Sequence, residues 1–243
     1  MSMLEVHDLT VRYGGVTALD SVNMEIPQGA FHGLIGPNGA GKTTMIDAIT
    51  GMTRCSGTVR FGGEPVDRWP AHRRSGAGLV RTFQSLELFN ELTARENLET
   101  YAGVKDHDRA QAAVDEALDL MDIGWAAELY PSELSHGQAR LLSVARALAG
   151  QPRLLLLDEP AAGLDADESQ WLGRRLRALV DERGLTILLV DHDVELIMNV
   201  CDQILVLDFG KQIGSGTPEE VRHDPAVVRA YLGGDLAEDG EPA

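Results

Sequence analysis

Gly36-Pro37-Asn38-Gly39-Ala40-Gly41-Lys42-Thr43 has the spacing G-x-x-x-x-G-K-[ST], a pattern whose chemistry is the cradling of phosphate. Gly36, Gly39 and Gly41 let the backbone curl so that several N–H groups point inward at phosphate oxygens. Ala30 to Ile35, ahead of the loop, reads as a strand, and Lys42 to Gly51 reads as a helix ending at a glycine. That strand–loop–helix context is the one the motif requires. The helix N-terminus, with Thr44 in its first turn, adds partial positive charge at the same spot. Lys42 is expected to neutralise the β- and γ-phosphates of a nucleoside triphosphate, and the Thr43 hydroxyl to ligate Mg²⁺.

A phosphate loop alone leaves kinases, GTPases and ATPases open. The apolar run Leu154 to Leu157 ends in Asp158-Glu159-Pro160. A carboxylate at the C-terminal end of such a strand is placed to hold Mg²⁺ beside Thr43, which is the role expected of Asp158. Glu159, one residue on, can face the γ-phosphate and deprotonate an attacking water. A kinase would gain nothing from that carboxylate, whereas a hydrolase would. Leu134-Ser135-His136-Gly137-Gln138 opens a further helix. Ser135 is expected as its N-cap, and the amides of that helix start form an anion site.

Together these motifs resemble the nucleotide-binding subunits of ATP-binding cassette (ABC) transporters, whose signature is usually written LSGGQ. His136 replaces the first glycine of that signature, while Gly137 remains. The resemblance runs from about Leu4 to Gly234, with the motifs in the family's order. It implies that Tyr13 stacks on adenine and that Gln84 reaches Mg²⁺ and the attacking water. It also implies that Asp165 links two active sites and that His192 senses the γ-phosphate. Glu159, His192, Gln84 and Lys42 are then the catalytic set. In this family ATP is sandwiched between two subunits head to tail, so Ser135, Gly137 and Gln138 would complete a neighbour's site.

The implied fold is α/β: a P-loop NTPase (RecA-like) core with an N-terminal antiparallel β subdomain and an inserted α-helical subdomain. The patterning agrees. Residues 3–8 and the alternating Val22, Met24 and Ile26 predict antiparallel strands, and Thr58 to Phe61 another before a Gly-Gly turn. Leu79 to Phe83 predicts a core strand. The unbroken apolar runs Leu154–Leu157 and Thr186–Val190 predict parallel strands buried on both faces. Ala166 to Arg183 is helix-like, Ile204–Asp208 and Lys211–Gly214 form a late strand pair, and Pro218 to Leu232 is helical again. Ala110, Ala113, Val114, Ala117, Leu118 and Met121 follow helical spacing, as do Leu141, Val144, Ala145 and Leu148. The expected organisation is one domain over 1–234, with core 1–85 and 151–234, helical subdomain 86–150, and a disordered acidic tail at 235–243.

Composition sets the class. The 243 residues are 44% hydrophobic and 24% charged, ordinary for a globular chain. A net charge of −17 argues against nucleic acid or anionic lipid as a direct partner. No apolar run is long enough to span a membrane. The expected location is the cytoplasmic face of the cell membrane, held peripherally through a permease. Cys55 and Cys201 read as reduced, buried thiols. The histidines at 7, 32, 72, 107, 136 and 223 are assigned no catalytic role.

The finer resemblance is to the ATPases of branched-chain amino acid importers and related urea and amide importers. It rests on Tyr13 to Leu19, Arg81-Thr82-Phe83-Gln84 with Leu88-Phe89, Glu159 to Leu164, and Asp224 to Gly233. The ATPase of lipopolysaccharide extraction shares the same shape. The resemblance implies transmembrane permease subunits as partners, a second ABC ATPase subunit, identical or related, and an indirect link to a substrate-binding protein. The permease contact is expected around Gln84 to Asn97, with two of Leu86, Leu88, Phe89 and Leu92 exposed.

Overall fold

A computed structural model describes residues 1–102 and 107–232; the tail predicted from 235 lies outside the described residues. The first part of the chain forms β1 (Ser2–Tyr13), β2 (Val16–Pro27), β3 (Phe31–Ile35), α1 (Lys42–Thr50), β4 (Ser56–Phe61), β5 (Glu64–Pro65), α2 (Ala71–Gly76) and β6 (Leu79–Arg81). A helical stretch follows, with α3 (Ala94–Glu99), α4 (His107–Leu120) and α5 (His136–Ala149). The rest is β7 (Leu154–Asp158), α6 (Ala166–Arg183), β8 (Thr186–Val190), α7 (Val194–Val200), β9 (Gln203–Asp208), β10 (Lys211–Gly216), α8 (Pro218–His223) and α9 (Pro225–Val227).

Two sheets meet at the phosphate loop. One is antiparallel in the order β2-β1-β4-β5; the other runs β10-β9-β3-β8-β7-β6, parallel except for its β9–β10 edge. β3, β7 and β8 are buried along their whole length, which explains the apolar runs of β7 and β8. The pleat sends Leu155 and Leu157 to a core shared with α5, α6 and α7. Leu154 and Leu156 face a second core, shared with α1 and the antiparallel sheet. Because the strands are parallel, the ends of β3, β6, β7 and β8 deliver their loops to one edge of the sheet.

Local rules set the helix ends. Gly51 and Gly184 adopt left-handed backbone just past α1 and α6. Arg74 on α2 is buried, and its guanidinium donates to the Ala48 and Ile49 carbonyls at the end of α1 (3.0 and 2.6 Å). Two expectations are corrected. The strand predicted over 79–83 ends at Arg81: Thr82 still donates its N–H to Leu156 (2.9 Å), but the chain then leaves the sheet edge. The helix predicted over 218–232 breaks at Asp224, because Pro225 offers no N–H and Asp224 is extended, capping the Ala226 amide at 2.7 Å. Cys201 is buried but Cys55 only half-buried, and both are free thiols. Among the described residues, no helix is long and apolar enough to cross a membrane.

His32 in β3 is 5% exposed, and neither ring nitrogen has a hydrogen-bond partner. Burial pushes its pKa down to about 4, with Asp202 opposing. The unfolded chain takes up a proton at about pH 6.5 that the fold refuses. Stability contributed by neutral His32 is therefore intact above that pH and lost as pH falls toward 4, by about 3 kcal/mol in all. Urea unfolding of His32→Leu should show a flatter pH dependence over this window than the parent chain; an unchanged slope would assign the acid sensitivity elsewhere.

Candidate active site

β3 ends at Gly36, where a Cβ would lie 2.2 Å from the Leu207 carbonyl oxygen. Gly39 and Gly41 hold φ of 80° and 104°, and a Cβ on Gly41 would meet the Ala18 carbonyl at 2.8 Å. The loop is thus built of glycine by backbone conformation and by contact with both sheets. Lys42 folds back along it, donating Nζ–H to the Gly36 and Pro37 carbonyls at 2.6 and 3.2 Å. Burial lowers the Lys42 pKa, while Glu159 and then Asp158 push it back up. The loop from Asn38 to Thr44 forms one wall of a cleft of about 520 Å³, with Gln84 and Glu159 on the other side.

Glu159 leaves β7 with φ of 51°, a left-handed conformation costly for a residue with a side chain. Its N–H donates to the Val190 carbonyl at 2.7 Å, and its Oε2 accepts from Gln84 Nε2 at 2.9 Å. Asp158 lies behind it, 3% exposed, its carboxylate accepting from Arg81 Nη2 at 3.2 Å and its N–H donating to Thr82 Oγ1 at 3.2 Å. Burial raises the Asp158 pKa and Arg81 pulls it back. Asp191, fully buried, accepts the Ala161 and Asp193 amides at 3.2 and 3.0 Å, so the loops after β7 and β8 are tied together. Burial raises its pKa also, and those amides oppose. His192 points outward, Nδ1 3.5 Å from Asp191.

The other residues expected at the site do not line this cleft. Tyr13 is half-exposed and donates its hydroxyl to Thr53 Oγ1 at 3.1 Å. Ser135 caps α5: the Gln138 N–H donates to Ser135 Oγ at 3.2 Å, and the Ser135 N–H to Gln138 Oε1 at 2.8 Å. Asp165 caps α6, accepting the Glu168 amide at 2.8 Å. The His136 ring lies against Gly163, where a Cβ would meet it at 2.5 Å. Gly137 faces Leu164 and Glu168 in the same way. The start of α5 therefore rests on the loop that leads to Asp165.

Several site residues lie outside the catalytic motifs. Val16 to Ala18 and the exposed Phe209, whose φ is 43°, join the cleft rim. Arg140 and Arg146, both buried on α5, donate to the Gln84 carbonyl (2.9 Å) and to the Leu86 and Glu87 carbonyls. Their place on the helix that the signature opens, two and eight residues beyond Gln138, is the only sequence signal that could have found them. A second groove of about 470 Å³ between α6 and α7 contains none of the motif residues.

A phosphate loop at the end of a central parallel strand, with acidic residues at the end of a strand one removed, defines a P-loop nucleotide-binding domain. Residues 19–162 match the family described as ABC transporter, and residues 211–237 match one described as branched-chain amino acid ATP-binding cassette transporter. The chain belongs to the ABC transporter family and is an ATP-binding, ATP-hydrolysing domain of it. It is 38% identical over 250 residues to the high-affinity branched-chain amino acid transport ATP-binding protein BraF of Pseudomonas aeruginosa, covering 95% of this chain and 98% of BraF. The ADP conformation of MJ1267, an ATP-binding cassette of an ABC transporter, superposes with a TM-score of 0.87 at 27% identity, over 96% of this chain and 99% of that one. The dimeric structure of MJ0796, a bacterial ABC transporter cassette, gives 0.81 at 27% identity, over 89% and 99%.

The packing of His136 on Gly163 yields a direct check. Gly163→Ala should destabilise the fold by about 1–3 kcal/mol, from its left-handed φ of 83° and from the clash. His136→Gly should recover the steric part only. A denaturation cycle over the two single variants and the double variant measures the coupling, and strict additivity would show that the two loops do not bear on each other.

Proposed function

We propose that the chain is the ATPase subunit that powers import of branched-chain amino acids or related small polar solutes, acting as half of a head-to-tail ATPase dimer docked on a permease at the cytoplasmic face of the membrane. Glu159 carries the hydrolytic reading. It stands on the wall of the phosphate-loop cleft in a strained backbone conformation, bonded to Gln84. In the reaction Glu159 accepts a proton from the attacking water as the water oxygen bonds to the γ-phosphorus, the bond from that phosphorus to the bridging oxygen breaks, and ADP and inorganic phosphate leave. Lys42 offsets charge on the β- and γ-phosphates. The amides of Gly36 to Thr44 hold the phosphates, His192 reads the γ-phosphate, and Tyr13 stacks on the base.

Thr43, Asp158 and Gln84 would hold Mg²⁺. A hydroxyl, a carboxylate and an amide oxygen are the hard donors that ion takes, and Gln84 keeps its Oε1 free while its Nε2 serves Glu159. When bound, the ion neutralises phosphate charge.

Ser135, Gly137 and Gln138 stand in the helical lobe, away from the cleft in their own chain. They are therefore assigned to the ATP held by a second subunit, with Asp165 beside them as the link between sites; that a similar cassette, MJ0796, forms a dimer supports the pairing of two subunits. The amino-acid substrate rests on similarity to BraF and on the match over 211–237.

Glu159→Gln should lower ATP turnover by about 10²–10⁴-fold while ATP binding persists, and the variant should accumulate as an ATP-bound dimer in size-exclusion chromatography. Hydrolysis at the parent rate would remove Glu159 from the role of base. Phe89 is 48% exposed, the only one of the four apolar residues at 86–92 that is, whereas two were expected. Asn97 holds its backbone on both sides, at 2.9 and 3.0 Å. Phe89→Asp should weaken permease association by about thirtyfold, as loss of an aromatic anchor does, with ATP affinity unchanged. Undiminished co-purification would place the contact elsewhere.

A further inference from the structure

Arg81 is almost wholly buried and forks between two carboxylates. Its Nη1 donates to Asp47 Oδ1 at 2.5 Å and its Nη2 to Asp158 Oδ2 at 3.2 Å. Its side chain is 8% exposed, that of Asp158 4% and that of Asp47 30%. Phe83 covers one face of the guanidinium, 4.5 Å away, and Met52 Sδ approaches Nη1 at 3.5 Å. Asp47 lies on α1, the helix that begins Lys42-Thr43, and Asp158 ends β7. The fork thus joins the two elements that carry Thr43 and Asp158.

We propose that Arg81 is the positioning residue for metal binding at this site: it fixes the Asp158 carboxylate relative to Thr43, engaging Oδ2 so that Oδ1 is presented to Mg²⁺. This rests on the assignment of Asp158 as a Mg²⁺ ligand. The charge count supports it. One guanidinium between two carboxylates leaves a net single negative charge, which attracts a divalent cation. A planar fork can serve both acids at once, which an ammonium cannot. The neighbours act on the same pair: Thr82 Oγ1 accepts the Asp158 amide and Gln84 bonds Glu159. Arg81-Thr82-Phe83-Gln84 is therefore a clamp on Asp158-Glu159.

The test titrates Mg²⁺ against binding of a fluorescent, non-hydrolysable ATP analogue to the full chain, with a parallel series in EDTA. Arg81→Lys and Arg81→Gln should raise the Mg²⁺ needed for half-maximal tight binding by about 10–100-fold, the usual cost of losing a residue that orients a metal ligand. Affinity in EDTA should stay at the parent value. Asp47→Asn, which leaves the Asp158 arm in place, should give a smaller shift. Arg81→Lys is the variant that keeps the charge, and its thermal midpoint in EDTA reports whether it folds. Equal loss in EDTA and in Mg²⁺ would show that Arg81 serves the fold alone and would overturn the proposal. So would a parent-like Mg²⁺ requirement in both Arg81 variants while Asp158→Asn shifts strongly. If Asp158→Asn leaves the requirement unchanged, the ligand assignment itself fails and the proposal falls with it.

Discussion

Where β3 ends, the Leu207 carbonyl oxygen of β9 lies 2.2 Å from the place a Cβ on Gly36 would occupy. The chain can pass only as bare backbone, and everything at the phosphate loop inherits its position from that contact. The same loop is held from the other side. A Cβ on Gly41 would strike Ala18 of β2, the Gly210 N–H donates to the Ala40 carbonyl at 3.0 Å, and the Asp20 N–H donates to the Gly210 carbonyl at 2.8 Å. The antiparallel sheet and the β9–β10 turn therefore grip the loop together. This explains why a nucleotide-binding core carries a second sheet: β2 supplies the wall against which the loop is closed. It also explains the rim residues Val16 to Ala18 and Phe209, which arrive on the gripping elements.

Most of this architecture was legible in the sequence because its causes are local. A short run of four leucines fits a strand buried on both faces, and β7 is that. Ser135 with Gln138, and Asp165 with Glu168, announce helix starts by short-range capping, and the structure has both. The breaks at Arg81 and Asp224 were missed for opposite reasons. Pro225 was visible but outweighed by apolar spacing on either side. The end of β6 depends on the edge position of that strand, which no local signal encodes. The arginines were illegible for a deeper reason. Arg81 finds Asp158 across 77 residues, and Arg140 finds Gln84 across 56. In a sequence such residues look like solvated charge, and only the packed fold shows them to be buried.

Those buried arginines also say how the two halves of the molecule communicate. Arg140 and Arg146 reach from α5 to the carbonyls of Gln84, Leu86 and Glu87, while Arg146 stacks over Tyr101 at 4.9 Å. Asn97 on α3 holds Phe89, and the Asn97 side chain also donates to the Leu92 and Thr93 carbonyls at 3.1 and 3.0 Å. The segment from Gln84 to Thr93 is thus held by side chains of α3 and α5 that bond its backbone. Burial lowers the pKa of both arginines, so the fold accepts a desolvation cost to keep them there.

The same segment is thus tied to both α5 and α3. At the start of the segment, Gln84 bonds Glu159; midway along it, Phe89 faces outward. The hydrogen bond from Gln84 to Glu159 is then the joint across which the two bodies meet at the cleft. The packing of His136 on Gly163 is a second joint, between the helix start at Ser135 and the loop that leads to Asp165. Both contacts are made by elements tied to α5, so displacing that helix would load both. The orientation of the carboxylate at Glu159 and the placement of the signature amides are therefore coupled through α5, a rigid helix anchored at its start and along its length. Such coupling lets a single small rotation report on both faces of an ATP site at once.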